Sequence, residues 1–275
     1  MNNQFLWSGK ELQTAFAKAD IATGVNGISI DSRTTMPGDL FVALCGNPGP
    51  RFGGGSETAG DGHNFIEMAT TAGASVVMAH RKVTCSVPVL LVDDTLDGLW
   101  QLGSYSRKRT SAKVVGITGS SGKTTLRAWL QAILSPMANC HASEGSLNNH
   151  WGVPLSLARM AAGSDVGLFE IGTNHPGEIE PLSRLVEPDI ALVLNVLPAH
   201  IGNFSGLDQL RAEKLSISHG LRSGGTLVVP VGLADHASYP KIISFGKGGD
   251  VYAEGWPTES GTVVRIDVAG TVVEC

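Results

Sequence analysis

The sequence predicts an α/β fold in two parts: a small N-terminal α/β domain, then a larger domain built on a doubly wound, mostly parallel sheet. From residue 113 onward, short apolar stretches alternate with helical stretches of about ten residues. This alternation is typical of a parallel sheet covered by helices on both faces. A glycine-rich loop at residues 119–122 joins one apolar stretch to a helical one, as at the ligand-binding edge of such sheets.

The N-terminal domain is predicted over residues 1–110. Ser8 and Glu11 have the spacing of a capping box, so a helix should begin there. Residues 46–62 are dense in Gly and Pro and predict a long loop. Strands are predicted within VNGISIDSR, GDLFVAL, GASVVMAH and VPVLLVDD, and helices within ELQTAFAKA, NFIEMATTA and TLDGLWQLGSYSRKR.

A basic segment closes this domain, with Arg107, Lys108 and Arg109 followed by Lys113. Such clusters are more often solvated than ligand-binding. We therefore interpret the segment as a linker and place the boundary at residues 110/111, a loop inside one domain being the alternative. In the second domain, residues 111–275, strands are predicted within AKVVGIT, VGLFEIG, DIALVLN and GTLVVP, and helices at 123–134 and within VPLSLARMA, GEIEPLSRLV and LDQLRAEKLSISHG.

The composition excludes several classes of protein. The 275 residues carry a net charge of −5, and 42% are hydrophobic, which favours a water-soluble globular enzyme over a nucleic-acid-binding protein. Neither a signal-peptide pattern nor a run of about 18 apolar residues occurs, so we predict no membrane insertion or export. The four cysteines are scattered, which indicates a reducing, cytoplasmic location.

The segment VVGITGSSGKTTLRAWLQAIL, residues 114–134, has the groups that bind nucleotide phosphates and Mg²⁺: glycine-rich backbone, a lysine and a hydroxyl. The general P-loop pattern G-x-x-x-x-G-K-[ST] requires glycine where this sequence has Ile117, and the shorter T-G-x-x-G-K-T stands instead. A glycine-rich turn that binds no nucleotide is the alternative. The predicted ATP-binding residues of the loop are Gly119, Ser120, Ser121, Gly122, Lys123, Thr124 and Thr125.

The shorter loop resembles that of the Mur ligases, ATP-dependent amide-forming enzymes of peptidoglycan synthesis, whose loop has the form T-G-x-x-G-K-[ST]. Further similar segments follow in the family's order and cover nearly the whole chain. In the second domain they are SLNNHWGVPLSL, FEIGTNHPGEIEPLSRLVEPDIALVLNV and AHIGNF, and in the first they are ISIDSRTTMPGDLFVAL, DGHNFIEMA and AGASVV.

The second-domain segments are similar to those of the family members that add D-alanyl-D-alanine to UDP-N-acetylmuramoyl-tripeptide. The resemblance implies ATP and Mg²⁺ as cofactors, an acyl phosphate intermediate and a first domain that binds the UDP part of the substrate. It also implies that the central domain is incomplete here and that the family's C-terminal domain is absent. The alternatives are a non-catalytic remnant that binds nucleotide or UDP-sugar, and a related ligase that adds a diamino acid.

Three further residues take catalytic or metal-binding roles from the resemblance. Glu170 ends an apolar strand and, with Thr124, would hold Mg²⁺, although a surface carboxylate is the simpler interpretation of its position. His200 matches the family's metal-binding A-H segment, whereas a lone histidine there is usually a loop residue. Lys214, on a predicted helix, matches a lysine that the family carbamylates, although position alone indicates a solvated side chain and the family's K-x-E-I reads K-L-S-I here.

The resemblance also implies residues that contact the substrates. Asn148 and Asn149 would lie beside the nucleotide phosphates, with a role as turn formers as the alternative. The segment 173–175 would line the acceptor site, and an arginine in the first domain can pair with a diphosphate. The predicted substrate-binding residues are Ser32, Arg33, Gly62 and His63 for the UDP part, and Thr173, Asn174 and His175 for the acceptor.

Overall fold

The computed structural model describes residues 5–17, 21–45, 60–198, 201–258 and 261–274. The strands are β1 (Gly27–Ser29), β2 (Asp39–Val42), β3 (Val76–Ala79), β4 (Val89–Leu91), β5 (Lys113–Thr118), β6 (Cys140–Ala142), β7 (Val166–Glu170), β8 (Ile190–Val193), β9 (Thr226–Pro230), β10 (Ile242–Phe245), β11 (Val251–Thr258), β12 (Gly261–Val268) and β13 (Thr271–Glu274). The α-helices are α1 (Gly9–Ala15), α2 (Ile66–Thr71), α3 (Thr95–Lys108), α4 (Lys123–Leu134), α5 (Gly152–Ala158), α6 (Ile179–Val186), α7 (Leu207–Leu215) and α8 (Val231–Ala234).

The chain divides into two compact units. Unit 1 comprises Met1–Ala112 and Met137–Gly167, and unit 2 comprises Lys113–Pro136 and Leu168–Cys275. Both have the predicted α/β class with mostly parallel strands, which confirms the fold prediction. Within the described residues, every helix is too short or too polar to span a bilayer.

Unit 1 contains a parallel sheet with strand order β1-β2-β3-β4. Successive side chains of a strand point to opposite faces, so the buried strands β2 and β3 contribute to two cores. On one face, Leu40, Val42, Val76 and Met78 belong to a core with Leu12 of α1, Leu99 of α3 and Leu155 of α5. On the other face, Phe41, Ala43, Val77 and Ala79 pack with Ile66 and Ala69 of α2.

The segment 137–167 belongs to unit 1, whereas the sequence analysis placed it in a continuous second domain. Helix α5 of this segment packs against α3. Two buried hydrogen bonds also join the segment to residues before 112. Trp7 Nε1 donates to the carbonyl of Ala158 over 2.8 Å, and Ser106 Oγ donates to that of Met160 over 3.1 Å. Such long-range pairing leaves no local pattern in the sequence.

The basic segment at the end of α3 is not a solvated linker, which corrects our interpretation. Arg107 is buried, and Arg109 NH1 pairs with Glu11 Oε1 over 2.8 Å. The guanidinium carbon of Arg109 lies 3.8 Å from the ring centroid of Trp7, in cation–π contact. The predicted capping box of α1 is confirmed, with Ser8 and Glu11 bonded to each other's backbone N–H. Glu11 therefore both caps α1 and neutralises Arg109.

Unit 2 contains the nucleotide-loop segment on a sheet with strand order β13-β12-β11-β10-β9-β8-β5-β7. Strands β5, β8, β9 and β10 pair in parallel, and β11 to β13 form antiparallel pairs. Strand β5 is flanked by β8 and β7, so the loops after these three strands emerge at one edge of the sheet. Strands β10 to β13 were not predicted from the sequence, and β13 is exposed along its whole length.

Candidate functional site

The glycine-rich loop joins the end of β5 at Thr118 to the start of α4 at Lys123, as predicted. Gly122 precedes the helix with φ +80°, a left-handed conformation that favours glycine. A Cβ added there would lie 2.8 Å from Leu194 Cδ2. The backbone conformation therefore favours glycine at this position, and a larger residue would also have to displace the end of the Leu194 side chain. Thr125, in the first turn of α4, is exposed.

The loop is held by Asn195, a residue that the sequence analysis missed. Asn195 Oδ1 accepts hydrogen bonds from the backbone N–H groups of Ser120, over 3.0 Å, and Ser121, over 3.1 Å. Its Nδ2 donates to the carbonyl of Ser121 over 3.2 Å. Backbone N–H groups of this kind bind phosphate oxygens in nucleotide loops. The amide oxygen of Asn195 thus lies where an anionic oxygen would also be bound.

Lys123 is the first residue of α4, and its side chain turns back over the loop. Its Nζ donates a 2.8 Å hydrogen bond to the carbonyl of Gly119. Burial lowers the pKa of Lys123, and the negative charge of Glu170 acts against this shift. The ammonium is therefore partly desolvated and points to the phosphate loop, which strengthens its attraction for an anion.

Glu170 ends β7 and is fully buried, in contrast to the surface carboxylate that its sequence position alone suggested. Its Oε2 accepts a 3.0 Å hydrogen bond from Thr124 Oγ1. Its Oε1 accepts a 2.8 Å hydrogen bond from Arg127 Nε, which forms an ion pair. The predicted metal ligands Thr124 and Glu170 are therefore neighbours, although 46 residues separate them in the sequence.

The Thr124 and Glu170 oxygens fit a magnesium ion. Two oxygens in adjacent positions of an octahedron with Mg–O distances of about 2.0 Å are about 2.9 Å apart. The observed separation of 3.0 Å is close to this value. Arg127 occupies the other carboxylate oxygen, so Glu170 would bind the ion through one oxygen.

Arg127 was not predicted as a site residue. It lies three positions after Thr124 in α4 and therefore on the same side of the helix. Arg127 also donates from NH1 to Gln131 Oε1 over 3.3 Å. A basic residue one turn after the loop threonine was the available signal, but only burial distinguishes this arginine from a solvated one.

Lys214 lies in the last turn of α7 and is buried, so the interpretation as a solvated lysine is wrong. Burial, together with the positive charge of Lys123, lowers the pKa of Lys214 to about 8, although Glu213 acts in the opposite direction. Glu213 Oε2 accepts the N–H of Gly177 over 2.7 Å, and its Oε1 accepts that of Ile179 over 2.8 Å. Glu213 therefore fixes α7 against the start of α6.

The loop after β7 is organised around Glu178, another residue that the sequence analysis missed. Its Oε2 accepts the N–H groups of Asn174, over 2.7 Å, and His175, over 3.1 Å, and the hydroxyl of Thr173 over 3.2 Å. Burial acts to raise the pKa of Glu178, but these donors outweigh it and hold the pKa below its ordinary value. Residues 173–175 thus form one compact turn that presents His175 at the surface.

Three further residues were predicted for the site: His200, Asn148 and Asn149. His200 lies outside the residues that the structure describes, and its predicted metal-binding role stays a prediction. Asn148 and Asn149 lie in unit 1. Asn149 Oδ1 accepts the backbone N–H groups of Trp151 and Gly152 at the start of α5, a turn-forming role. Asn148 donates its backbone N–H to the carbonyl of Ser146.

Unit 1 contains a cavity of about 490 Å³ at the carboxyl ends of β1 and β2. Three of the four residues predicted to bind UDP, Ser32, Arg33 and Gly62, line it. The side chain of Arg33 is 81% exposed and pairs with Asp31 over 2.6 Å, so the guanidinium can be reached by an anion from solvent. The cavity is also lined by Ile30, Asp31, Phe41, Leu44, Cys45, Gly60, Phe65, Met68 and Trp151.

The fourth residue, His63, is directed away from solvent. Its Nδ1 is 2.7 Å from Asp61 Oδ1, and its side chain is 2% exposed. Arg81 NH2 donates to the other oxygen of Asp61 over 2.7 Å. Burial acts to raise the pKa of Asp61, but the hydrogen bonds from His63 and Arg81 outweigh it and hold that pKa well below its ordinary value.

Residues 117–256 match the Mur ligase middle domain, a stretch that covers half of the chain and contains the phosphate loop, Glu170 and Lys214. The chain belongs to the Mur ligase family. The curated relatives include UDP-N-acetylmuramoyl-tripeptide--D-alanyl-D-alanine ligases from Bacillus subtilis and Escherichia coli, each 34% identical. The alignments cover 75% and 83% of this chain, but 43% and 48% of those proteins. This Mur ligase chain therefore spans about half the length of these relatives.

Solved structures show the same similarity. A crystal structure of MurF from Acinetobacter baumannii has 33% sequence identity and a TM-score of 0.83, covering 98% of this chain and 59% of that one. A MurF ligase from Thermotoga maritima in complex with ADP has 29% identity and a TM-score of 0.75, covering 90% of this chain and 57% of that one. Both units of this Mur ligase thus have counterparts in solved members of the family.

Proposed function

We propose that this Mur ligase takes part in the ATP-dependent addition of D-alanyl-D-alanine to UDP-N-acetylmuramoyl-tripeptide, a step of peptidoglycan precursor synthesis. The juxtaposition of the phosphate loop with buried Glu170 and buried Lys214 carries the proposal. Relatives with 31–36% identity are UDP-N-acetylmuramoyl-tripeptide--D-alanyl-D-alanine ligases, which supports the choice of substrates. The free thiols of Cys45, Cys85 and Cys140 suit the reducing cytoplasm, where we expect the reaction to occur.

The proposed first step is phosphoryl transfer from ATP to the terminal carboxylate of the tripeptide. The backbone N–H groups of Ser120 and Ser121 and the ammonium of Lys123 would bind the nucleotide phosphates. When the phosphates bind, these two N–H groups would release the side-chain oxygen of Asn195 and donate to phosphate oxygens instead. These fixed donors stabilise the charge that develops on the transferred phosphoryl group. The amine of D-alanyl-D-alanine then attacks the acyl phosphate, and phosphate leaves.

Thr124 and Glu170 would hold Mg²⁺, with His200 as a further predicted ligand. A magnesium ion held there would supply positive charge that neutralises the nucleotide phosphates. Arg127 fixes one oxygen of the Glu170 carboxylate through their ion pair, so that the other oxygen remains for the ion.

Lys214 is proposed to be carbamylated, as the resemblance implies. Carbamate formation requires a neutral amine that attacks CO₂ and releases a proton. With a pKa of about 8, about a tenth of Lys214 is neutral at pH 7, compared with less than about 0.1% of an ordinary lysine. The carbamate would replace a positive charge next to Lys123 by a negative one, which removes their repulsion.

The cavity of unit 1 is proposed to bind the UDP part of the substrate. Its wall is largely apolar around Phe41, Leu44 and Phe65, which suits a nucleobase. Arg33, at its surface, is placed to pair with a diphosphate once it exchanges its contact with Asp31. We propose Thr173, Asn174 and His175 of unit 2 as contacts of the acceptor, because Glu178 fixes them as one turn.

The ligase proposal is tested by phosphate release from ATP with the complete product of this gene. We expect release that requires both UDP-N-acetylmuramoyl-tripeptide and D-alanyl-D-alanine, and loss of release in Lys123→Ala. A second assay tests the related ligase activity. In it, a diamino acid replaces D-alanyl-D-alanine, and the UDP-linked dipeptide replaces UDP-N-acetylmuramoyl-tripeptide. Release that is independent of D-alanyl-D-alanine would contradict the proposal.

Nucleotide binding is tested on residues 1–275 by calorimetry with Mg²⁺ and ADP. We expect Lys123→Ala to weaken binding about tenfold or more, because it removes the only charge of the loop itself. Lys10→Ala, at an exposed position in unit 1, serves as the control with the same charge change. Equal affinities of the two variants would show that the loop does not bind the phosphates.

A further inference from the structure

Three side chains with metal-binding atoms meet at the carboxyl ends of β2 and β3 in unit 1. Cys45 follows β2, His80 directly follows β3, and His63 lies in the 3-10 turn Gly62–Phe65. Because β2 and β3 are parallel neighbours, their ends lie at the same edge of the sheet. One ligand atom from each of the three residues lies within 4.8 Å of the other two.

The separations are close to those of a tetrahedral metal site. Cys45 Sγ lies 3.8 Å from His80 Nδ1, and the rings of His63 and His80 have centroids 4.3 Å apart at an interplanar angle of 68°. A zinc ion with Zn–S of about 2.3 Å and Zn–N of about 2.0 Å holds its ligand atoms about 3.5 Å apart. Small side-chain rotations therefore suffice to close the three ligands around one ion.

The neighbours of His63 orient it for coordination. Its Nδ1 is bonded to Asp61 Oδ1 over 2.7 Å, and Asp61 is fixed by Arg81. A carboxylate on one ring nitrogen is the arrangement that directs the other nitrogen to a metal. The other nitrogen, Nε2, accepts a long 3.3 Å hydrogen bond from the backbone N–H of His80, which an ion would replace.

We propose that Cys45, His63 and His80 form a binding site for a zinc-like divalent cation, separate from the Mg²⁺ ligands Thr124 and Glu170. A thiolate with two imidazoles selects Zn²⁺ or Co²⁺ over Mg²⁺, which prefers oxygen ligands. On binding, the Cys45 thiol gives its proton to solvent and the thiolate forms the bond to the ion. The fourth position is left for water or another ligand, and Cys45 borders the cavity proposed to bind UDP.

Titration of the reduced full chain with Co²⁺ tests the site by absorption spectroscopy. We expect a thiolate-to-cobalt charge-transfer band and the visible bands of a tetrahedral Co²⁺ ion. Cys45→Ser should remove the charge-transfer band, and Cys140→Ser, which changes a half-buried cysteine outside the cluster, should retain it. Asp61→Asn should weaken Co²⁺ binding about 10- to 100-fold, because it removes the carboxylate that orients His63.

A second measurement needs no substitution. Zn²⁺ should slow alkylation of Cys45 by a thiol reagent in the unaltered protein, read by peptide mass spectrometry, with Cys85 as the internal control. The proposal is overturned if the unaltered protein shows no charge-transfer band with Co²⁺, if Cys45→Ser keeps that band, or if Zn²⁺ leaves the Cys45 alkylation rate unchanged. None of these readouts depends on ligase activity or on ATP.

Discussion

Arg127 and Glu170 form a buried ion pair, with Nε donating to Oε1 over 2.8 Å. The pair joins α4, which begins at the phosphate loop, to the end of β7. Glu170 is fully buried, so its charge is compensated by Arg127 within the protein rather than by water. Arg127 thereby links the stability of unit 2 to the orientation of a proposed metal ligand.

Arg127→Met should destabilise the protein by about 3–5 kcal/mol, because it leaves the Glu170 carboxylate buried without its cation. The double variant Arg127→Met with Glu170→Gln should recover much of this loss, since no buried charge remains. Urea unfolding followed by circular dichroism measures both. The control is Arg184→Met, which breaks an exposed pair with Glu180 and should cost less than about 1 kcal/mol. Similar losses in Arg127→Met and Arg184→Met would contradict the role given to the buried pair.

Asn195→Asp should weaken binding of ADP about tenfold or more. The carboxylate would keep the N–H groups of Ser120 and Ser121 and would repel the phosphates that need them. Calorimetry with Mg²⁺ and ADP measures the change. Asn139→Asp, which makes the same charge change in unit 1, is the control. If both variants bind ADP like the unaltered protein, Asn195 does not compete with phosphate at the loop.

Gly122→Ala should destabilise the protein by about 1–2 kcal/mol through the backbone alone, because φ is +80° there. The contact of the added Cβ with Leu194 Cδ2 adds to this cost. Gly163→Ala is the matched control, because an added Cβ there meets no atom within 4 Å. Thermal unfolding compares the two variants. A midpoint in Gly122→Ala as high as in Gly163→Ala would show that the loop relaxes without strain.

Lys214 should make stability depend on pH above about 8. Its pKa is about 8 in the folded chain, below the ordinary 10.5, so between these values the unfolded chain binds more protons. The free energy of unfolding contributed by this group therefore rises with pH across this window. In Lys214→Met, the increase from pH 8 to 10.5 should be smaller, by up to about 3 kcal/mol.

Urea unfolding at several pH values in CO₂-free buffer measures the Lys214 effect, with Lys10→Met at an exposed position as the control. CO₂-free buffer keeps the amine unmodified. If Lys214→Met and the unaltered protein gain the same stability between pH 8 and 10.5, Lys214 is not desolvated in the folded state.

The predicted loop and strand ends follow from local sequence. The phosphate-loop pattern around Gly122 and Lys123 involves residues that are neighbours in the sequence. Parallel strands bring their carboxyl ends to one edge of the sheet, and from this rule we predicted that Glu170, at the end of a strand, lies near the loop. Most strand positions were also predicted, because an apolar run is a local feature of the sequence. What local patterns cannot predict is which charged side chains are buried. Arg127 and Lys214 have the sequence surroundings of solvated residues on helices, yet both are buried.

The amino-acid sequence by itself therefore determined the α/β class, the phosphate loop and its lysine, because these depend on residues that are close together in the chain. Only the tertiary structure decided which residues far apart in the sequence contact each other, such as Asn195 with Ser120 and Arg127 with Glu170. It also decided that the segment 137–167 belongs to unit 1. Burial sets the charge state and pairing of a side chain, and burial results from contacts between distant parts of the chain.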